Sequence, residues 1–319
     1  MLDYLIIKPG SLGDVIHSLP VAAAIKAARP EASLGWVIDD RWAPLLKGNP
    51  DIDKVAVFPR TQFRGLFGGL KSLPWLAGLK EMQAEQCLDL QGLLRSGIMT
   101  RMSRSKKIQG LSDAREGASL FYTSVTSINA AAHAVDRYLA ILSPLGFKRP
   151  ETLSFPLPEG EFPKGTPSEP FIVLHPYSRG EGKSLSSDVI RAFCEACAPT
   201  RVVLAGIGQS PVNLPANVSD LTGKTCLTEM VCLLRRATFV VSVDSGPMHI
   251  AAAVNRNLLS IHTWSDPRQV GPYAPEAWIW QGGSLRRQEI HASELPQPQT
   301  PSMQNAAEMA KHVISHLGS

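Results

Sequence analysis

The chain has 319 residues, of which 44% are hydrophobic and 19% charged, and its formal net charge is +4. This composition is typical of folded globular proteins and excludes a disordered chain, while the length allows two domains of ordinary size. No run of about 18 uninterrupted apolar residues occurs, and the short apolar start with an early acid does not suit a signal peptide, so neither a membrane-spanning helix nor secretion is expected. The five cysteines are irregularly spaced, which favours a reducing, cytoplasmic setting over a disulfide framework.

Positive charge is concentrated in the first half of the chain. Residues 1–150 contain 19 Lys and Arg against 13 Asp and Glu, whereas the remainder contains 13 against 15. A basic half of this kind predicts contact with an anionic partner. Nucleic acid is not expected to be that partner, because no zinc-ligand spacing, helix-turn-helix signal or RNP motif accompanies the basic residues.

Short apolar segments alternate with helical patterns along residues 1–150, which is typical of a parallel sheet covered by helices on both faces. The predicted strands are 4–8, 34–38, 55–58, 86–90 and 107–111. Helical spacing of apolar residues predicts helices at 14–29, 93–102 and 133–145, and Pro20 falls inside the first of them.

Proline becomes frequent over residues 148–170, which contain six of them, and a linker is predicted at 151–170. Alternation resumes in a second α/β domain, 171–303, and a final helix lies within 304–319. The predicted strands of this domain are 171–174, 201–205, 239–243 and 258–262. Its predicted helices are 186–197, 228–236 and 248–254, while 281–303 is expected to be irregular. The sequence therefore predicts an α/β protein of two Rossmann-like, doubly wound domains, with ligands at the carboxyl ends of both sheets, in an interdomain cleft.

Two loops combine a strand end, glycine and an acid. Gly10 to Asp14 follows the first strand, and Asp14 is either only a helix N-cap or a carboxylate at the helix start that also takes a proton from an attacking hydroxyl. The turn from Asp244 through Ser245 and Gly246 to His249 follows a buried strand and begins a helix. Because free backbone N–H groups and the helix dipole favour an anion there, a phosphate site is predicted, with a plain strand–helix turn as the alternative.

The loop from His175 to Lys183 follows another strand and offers hydroxyls, glycines and two cations. It is either a solvated loop or a site that neutralises a diphosphate leaving group without a metal. In the first domain, Arg60 and Arg64 precede or begin a stretch, 63–80, that mixes aromatic, apolar and basic residues with no acid. Arg95 begins a second acid-free basic segment. This composition suits an anionic membrane surface or lipid headgroup, unless the segment packs on its own domain.

Four segments in the same order resemble glycosyltransferase family 9, the ADP-heptose:lipopolysaccharide heptosyltransferases. They are residues 7–20 (IKPGSLGDVIHSLP), 89–96 (DLQGLLRS), 243–253 (VDSGPMHIAAA) and 265–267 (SDP). The sequence of residues 13–20 is more similar to that of heptosyltransferase I than to that of heptosyltransferase II.

The resemblance implies a GT-B fold and an inverting transfer of heptose, or a related sugar, from an ADP-sugar to an anionic Kdo-lipid A type core, with no obligatory cofactor or metal. Asp14 would be the general base, with Gly13, Arg60, Arg64 and Arg95 on the acceptor side. Lys183 would hold the departing diphosphate. The remaining donor-binding residues would be Ser178, Asp244, Ser245, Gly246 and His249. The enzyme would be cytoplasmic and peripheral to the inner membrane.

Two other functions stay open. A GT-B-shaped nucleotide-sugar epimerase or hydrolase would consume the donor without an acceptor, and a non-catalytic nucleotide- or polysaccharide-binding protein would never release ADP from an ADP-sugar.

Overall fold

A computed structural model describes residues 1–63, 68–180, 182–289 and 294–317, with the side chains of 68–70 left out. The predicted acceptor residue Arg64 lies outside the described residues. The chain divides into two units, Met1–Pro158 and Glu159–Ser319, and their boundary falls within the proline-rich segment. Within the described ranges, no helix is both long and apolar enough to cross a membrane.

Unit 1 is built on a six-stranded sheet in which every pairing is parallel, in the order β3-β2-β1-β4-β5-β6. Its strands are β1 (Leu2–Ile7), β2 (Leu34–Asp39), β3 (Lys54–Phe58), β4 (Ala84–Asp89), β5 (Lys107–Leu111) and β6 (Ser124–Thr126). Its helices are α1 (Leu12–Ala28), α2 (Gly68–Gly78), α3 (Leu94–Met102) and α4 (Ala134–Leu139), and short 3₁₀ turns lie at Ala43–Leu46, Leu79–Met82, Ala118–Phe121 and Ala140–Leu145.

The first helix begins two residues earlier than predicted. Ser11 is its N-cap and Asp14 is its third residue, so the two form a capping box instead of Asp14 capping the helix itself. Pro20 lies inside the helix and is buried, so it neither ends the helix nor delays its start. The strands predicted from apolar runs in both halves are confirmed to within two residues at each end.

Unit 2 is built on a seven-stranded sheet in the order β13-β12-β11-β10-β7-β8-β9. Its strands are β7 (Phe171–His175), β8 (Arg201–Gly206), β9 (Val218–Thr222), β10 (Phe239–Val243), β11 (Leu258–Ile261), β12 (Trp278–Gln281) and β13 (Ser284–Arg287). Its helices are α5 (Ser187–Ala196), α6 (Leu227–Arg236), α7 (Gly246–Val254), α8 (Pro267–Val270) and α9 (Met303–Ser315). All pairings are parallel except that of β12 with β13.

Part of the segment predicted to be irregular is a β-hairpin. Gly282 and Gly283, with φ angles of +59° and +81°, connect β12 to β13. A two-residue turn with two positive φ angles matches the twist of antiparallel strands, and glycine adopts it without strain. The final helix packs in the core of unit 2, where its Met309 and Val313 join Phe193 of α5 in one buried cluster.

Candidate active site

Each sheet changes its direction of strand order at one point. In unit 1, β1 lies beside β4, and in unit 2, β7 lies beside β10, so strands on either side of these pairs follow the chain in opposite directions. Ligands of doubly wound proteins bind outside the carboxyl ends of the strands at such points. The loops that the sequence singled out follow β1 and β4 in unit 1 and β7 and β10 in unit 2.

A cavity of about 370 Å³ opens at the carboxyl end of β1 and β4. Asp14 lies in its wall together with the cations Lys8, Arg115 and Arg137. The other lining residues are Asp89, Leu90, Gln91, Gly92, Leu111, Asp113 and Tyr138. The cavity thus brings three basic side chains together with three carboxylates, of which Asp14 comes from the first turn of α1.

The Asp14 carboxylate is held by donors on both of its oxygens. Its Oδ1 accepts a hydrogen bond from the Tyr138 hydroxyl at 2.7 Å, and its Oδ2 accepts from the Ser11 amide at 3.1 Å and the Ser11 hydroxyl at 2.8 Å. Lys8 Nζ lies 3.9 Å from Oδ1, and the Asp14 side chain stays 37% exposed. The carboxylate is therefore fixed in position while part of it remains open to a ligand.

Opposing effects set the pKa of Asp14. Burial raises it, but the Lys8 ammonium and the hydrogen bonds from Tyr138 and Ser11 outweigh burial, so the pKa lies below its ordinary value. Burial lowers the pKa of Lys8, against the attraction of Asp14 and Asp89. The Lys8 ammonium donates to the Leu90 carbonyl and to the Tyr138 hydroxyl, both at 2.8 Å. Tyr138 therefore connects the ammonium to the carboxylate.

Asp89 organises the loop after β4. Its Oδ1 accepts hydrogen bonds from the amides of Gln91 and Gly92 at 2.9 and 3.1 Å, and its Oδ2 accepts from the hydroxyls of Ser96 and Tyr122, both at 2.8 Å. The side chain is fully buried, and burial raises its pKa despite these donors. Asp89 shapes the cavity wall more than it serves as an open acid or base.

The predicted acceptor residues are only partly placed at this cavity. Gly13 is buried in the first turn of α1, next to Asp14. The described lining contains neither Arg60, whose Nη1 lies 3.7 Å from Asp39 Oδ2, nor Arg95, whose guanidinium lies 5.7 Å from the Phe58 ring centroid. Asp39 itself is held by a second arginine, through two bonds of 2.8 and 2.7 Å from Arg41.

The cavity's own arginines, Arg115 and Arg137, were missed by the sequence analysis. Arg115 lies in a loop, and its backbone amide donates to the Gly92 carbonyl at 2.7 Å. Arg137 is on α4, and its Nη1 lies 3.5 Å from Asp113 Oδ2. Nothing in their local sequence marks them, because they reach the cavity through tertiary packing.

In unit 2, the predicted donor residues cluster around the end of β10. Ser245 is the N-cap of α7, but among the described contacts its hydroxyl donates to the Val243 carbonyl at 3.1 Å and does not cap the helix. Gly246 is the first residue of α7, so no helical carbonyl lies four residues before it to accept a hydrogen bond from its amide. The Asp244 side chain is half-buried, and His249 is buried in α7. The turn can therefore offer backbone N–H groups to an anion.

The loop after β7 is tied to this turn. The Ser178 hydroxyl donates to the Asp244 carbonyl at 3.0 Å, and Ser184 Oγ bonds both the amide and the carbonyl of Ser178, at 2.9 and 3.1 Å. The Lys183 ammonium lies 3.4 Å from the centroid of the Trp264 ring. Ser178, Asp244, Ser245 and Gly246 therefore form one connected group, and Lys183 extends from the same loop.

Two buried histidines, whose role was not predicted, lie beneath these loops. His175 Nδ1 is 3.3 Å from Ser245 Oγ and 3.4 Å from Ser242 Oγ. His262 lies between Ser260 Oγ at 2.9 Å and Ser265 Oγ at 2.8 Å. Burial lowers the pKa of both imidazoles to about 4, so both are neutral at pH 7. They support the loops without adding charge to them.

Within the parts of the chain that the structure describes, no group of three or more His, Cys, Asp or Glu side chains is arranged to hold a metal ion.

Comparison with known proteins bears on both units. The model of the family described as glycosyltransferase family 9 (heptosyltransferase) matches residues 76–188 and 190–295. Lipopolysaccharide heptosyltransferase 1 of Pseudomonas aeruginosa is 27% identical over 293 residues, covering 84% of this chain and 81% of that protein. The protein of the same name from Escherichia coli K12 is 27% identical over 299 residues, covering 86% of this chain and 92% of that protein.

Solved structures agree in fold. E. coli heptosyltransferase WaaC with ADP has a TM-score of 0.76 at 23% identity, covering 99% of this chain and 100% of its own. E. coli ADP-heptose lps heptosyltransferase II has a TM-score of 0.76 at 18% identity, with full coverage of both chains. These similarities confirm the predicted GT-B fold of two Rossmann-like domains. Because the family model matches well over half of the chain, this protein belongs to glycosyltransferase family 9 and is a glycosyltransferase.

Proposed function

We propose that this enzyme transfers a heptose from ADP-heptose to an anionic lipopolysaccharide-core acceptor of the Kdo-lipid A type, with inversion at the anomeric carbon. The relatives named above are lipopolysaccharide heptosyltransferases, and structures of WaaC are described with ADP and with ADP-2-deoxy-2-fluoro heptose. The observation that carries the proposal is the Asp14 carboxylate, fixed by Tyr138 and Ser11 yet open to a cavity whose lining includes three cations.

Unit 1 is the proposed acceptor unit. The cations Lys8, Arg115 and Arg137 in the cavity favour carboxylate or phosphate groups, and arginine binds such groups through two parallel hydrogen bonds. Gly13 lets the acceptor approach the first turn of α1. Arg60, Arg64 and Arg95 are proposed to contact more distant anionic groups of the acceptor.

Asp14 is the proposed general base. The acceptor hydroxyl oxygen forms a bond to the anomeric carbon, the bond from that carbon to the diphosphate oxygen breaks, and ADP leaves. The hydroxyl proton passes to Asp14. A carboxylate whose pKa is lowered stays ionised before the reaction, and the attacking hydroxyl becomes acidic only as its new bond forms, so a weak base is sufficient.

Unit 2 is the proposed donor unit. The amides at Ser245 and Gly246 and the ammonium of Lys183 would stabilise the negative charge that develops on the diphosphate. Asp244 and His249 would orient the sugar nucleotide, and Ser178 would hold its loop against the β10–α7 turn through the bond to the Asp244 carbonyl. No metal or cofactor is required in this proposal.

We also propose peripheral attachment to the cytoplasmic face of the inner membrane through β3 and α2. Trp75 Nε1 donates to the Val57 carbonyl at 2.8 Å and joins the two elements. Leu73 on α2 is 55% exposed and Val57 on β3 is 43% exposed, and Lys71 is exposed on the same helix. Apolar and basic side chains together favour anionic lipid surfaces.

The test of the reaction is Asp14→Asn, assayed for ADP release with ADP-heptose and Kdo-lipid A. We expect turnover to fall by about 100-fold or more while ADP binding, followed by thermal shift, is kept. Asp188→Asn on the exposed start of α5 is the matched control and should keep full activity. Full activity of Asp14→Asn would refute the assignment of the base.

Donor-only incubation separates the alternatives. ADP release that needs no acceptor would favour an epimerase or hydrolase, and binding of ADP without any release from ADP-sugars would favour a binding protein. Preference for UDP over ADP would contradict heptose transfer.

A further inference from the structure

We propose that Trp264 is a positioning residue for Lys183 and presents its ammonium to the diphosphate of the donor on an uncharged aromatic surface. This inference rests on the proposed function, because it requires an ADP-sugar donor in unit 2. The Lys183 Nζ lies 3.4 Å from the centroid of the Trp264 ring. Cations within about 6 Å of an aromatic face are attracted by the ring quadrupole.

The contact joins two loops that follow the neighbours of β10, the strand after which the diphosphate is proposed to bind. Lys183 follows β7 and Trp264 follows β11, and both strands flank β10 in the sheet. The Thr263 hydroxyl also donates to the Gly182 carbonyl at 3.3 Å, which links the same two loops a second time. The two loops therefore meet beside the carboxyl end of β10, from which Ser245 and Gly246 begin α7.

The loop backbone also lies close to the Lys183 side chain. Gly180 has a φ angle of +104°, and a Cβ atom there would lie 3.2 Å from Lys183 Cε. The lysine side chain is therefore close to a backbone segment without a side chain and, at its ammonium, to the indole. A flexible lysine held in this way loses less rotamer freedom when it meets the donor.

A neutral partner suits this task better than an acid. A carboxylate would neutralise the ammonium and compete with the diphosphate, whereas an aromatic face leaves its charge and part of its hydrogen-bonding capacity available. Among the described residues, no carboxylate lies within 4.0 Å of Lys183. Trp264 is 57% exposed, which is unusual for a tryptophan that serves only packing.

The first experiment needs no ligand. The full-length protein and its Trp264→Leu and Trp264→Phe variants are treated with acetic anhydride, and acetylation of Lys183 is followed by peptide mass spectrometry. We expect Trp264→Leu to raise the rate by about 2- to 5-fold, with Trp264→Phe near the wild type. Unchanged acetylation in Trp264→Leu would overturn the contact, and Lys224 on the same unit is the internal reference.

The second experiment measures binding of ADP and AMP and the kinetics of ADP release. Trp264→Leu should weaken the binding of ADP by about 2- to 5-fold and lower kcat by a similar factor, while the affinity for AMP is unchanged. Trp264→Phe should restore both the ADP affinity and kcat. In a Lys183→Met background the Trp264→Leu effect should vanish. The proposal would be overturned if Trp264→Leu weakened AMP binding as much as ADP binding, or if its effect on ADP binding were undiminished in the Lys183→Met background.

The two experiments distinguish this inference from the function on which it rests. A wild-type protein that binds no ADP would refute the donor assignment and the diphosphate part of the inference. The acetylation rates would still decide whether Trp264 holds Lys183.

Discussion

The buried histidines of unit 2 predict a specific loss of stability in mild acid. His175 and His262 have pKa values lowered from 6.5 to about 4 by burial. In the unfolded chain both would titrate near 6.5, so between these values the unfolded state binds more protons than the folded state. Their contribution to stability is therefore present above pH 6.5 and is lost as the pH falls toward 4.

The magnitude follows from the two pKa values. Between pH 7 and pH 5, each histidine should lower the free energy of unfolding by about 2 kcal/mol, and the pair by about 4 kcal/mol. Carboxylates with lowered pKa values, such as Asp14, act mainly below this window, because their unfolded pKa is near 4. Burial also lowers the pKa of His312, which adds to the loss, and raises the pKa of Asp89 and Asp51, which opposes it. The contribution of each buried histidine is therefore read from the difference between its variant and the wild type, and not from the total loss.

Urea unfolding at a series of pH values, followed by tryptophan fluorescence and circular dichroism, measures this loss. His262→Gln keeps a neutral polar side chain and should remove about 2 kcal/mol of the pH-dependent loss. Val203→Ala, in buried β8, is the control: it should destabilise unit 2 at every pH without changing the pH dependence. The reasoning is refuted if His262→Gln and the wild type lose the same free energy between pH 7 and pH 5.

Three further predictions concern single contacts. Tyr138→Phe removes the hydrogen-bond donor to Asp14 Oδ1, so kcat should fall by about 10-fold. The acid limb of the pH profile of kcat/KM should move to higher pH, and an unmoved profile would contradict the role of this contact. Gly110→Ala places a Cβ 2.0 Å from the Tyr122 ring and should cost about 1–3 kcal/mol, measured by urea unfolding. Met309→Ala should destabilise unit 2 by about 2–5 kcal/mol in the same assay, and a smaller loss would show that α9 is not part of its core.

Local sequence was sufficient for the strands and most helices, because buried parallel strands are continuous apolar runs. It was not sufficient where an element is short or half-exposed. β9 has only two apolar residues, Val218 and Leu221, and they do not stand at alternate positions, while β6 has only three residues, so neither gives a strong strand pattern. The β12–β13 hairpin did leave a signal, the pair Gly282-Gly283, which is typical of a two-residue turn between strands.

The candidate site was predictable to the extent that its residues follow strand ends. Asp14 and the Ser245–Gly246 turn were found in this way, because each lies at the start of a helix that closely follows a buried strand. Tyr138 and Arg137 come from a helix more than a hundred residues beyond Asp14, and only tertiary packing brings them to its cavity. Sequence spacing carries no information about such contacts.

The two units handle charge in opposite ways, and this supports the proposed division of labour. Unit 1 places the cations Lys8, Arg115 and Arg137 beside three carboxylates in one cavity, and the Lys8 ammonium helps to keep the Asp14 base ionised. Unit 2 keeps the imidazoles beneath its loops neutral, so the backbone N–H groups and the Lys183 ammonium carry the positive potential there. A charged imidazolium beneath the β10–α7 turn would attract the departing diphosphate as strongly after the reaction as during it, and would slow the release of ADP. Neutral support beneath the turn, with the positive side chains on the loop after β7, which carries Arg179 and Lys183, favours stabilisation of the leaving group without retention of the product.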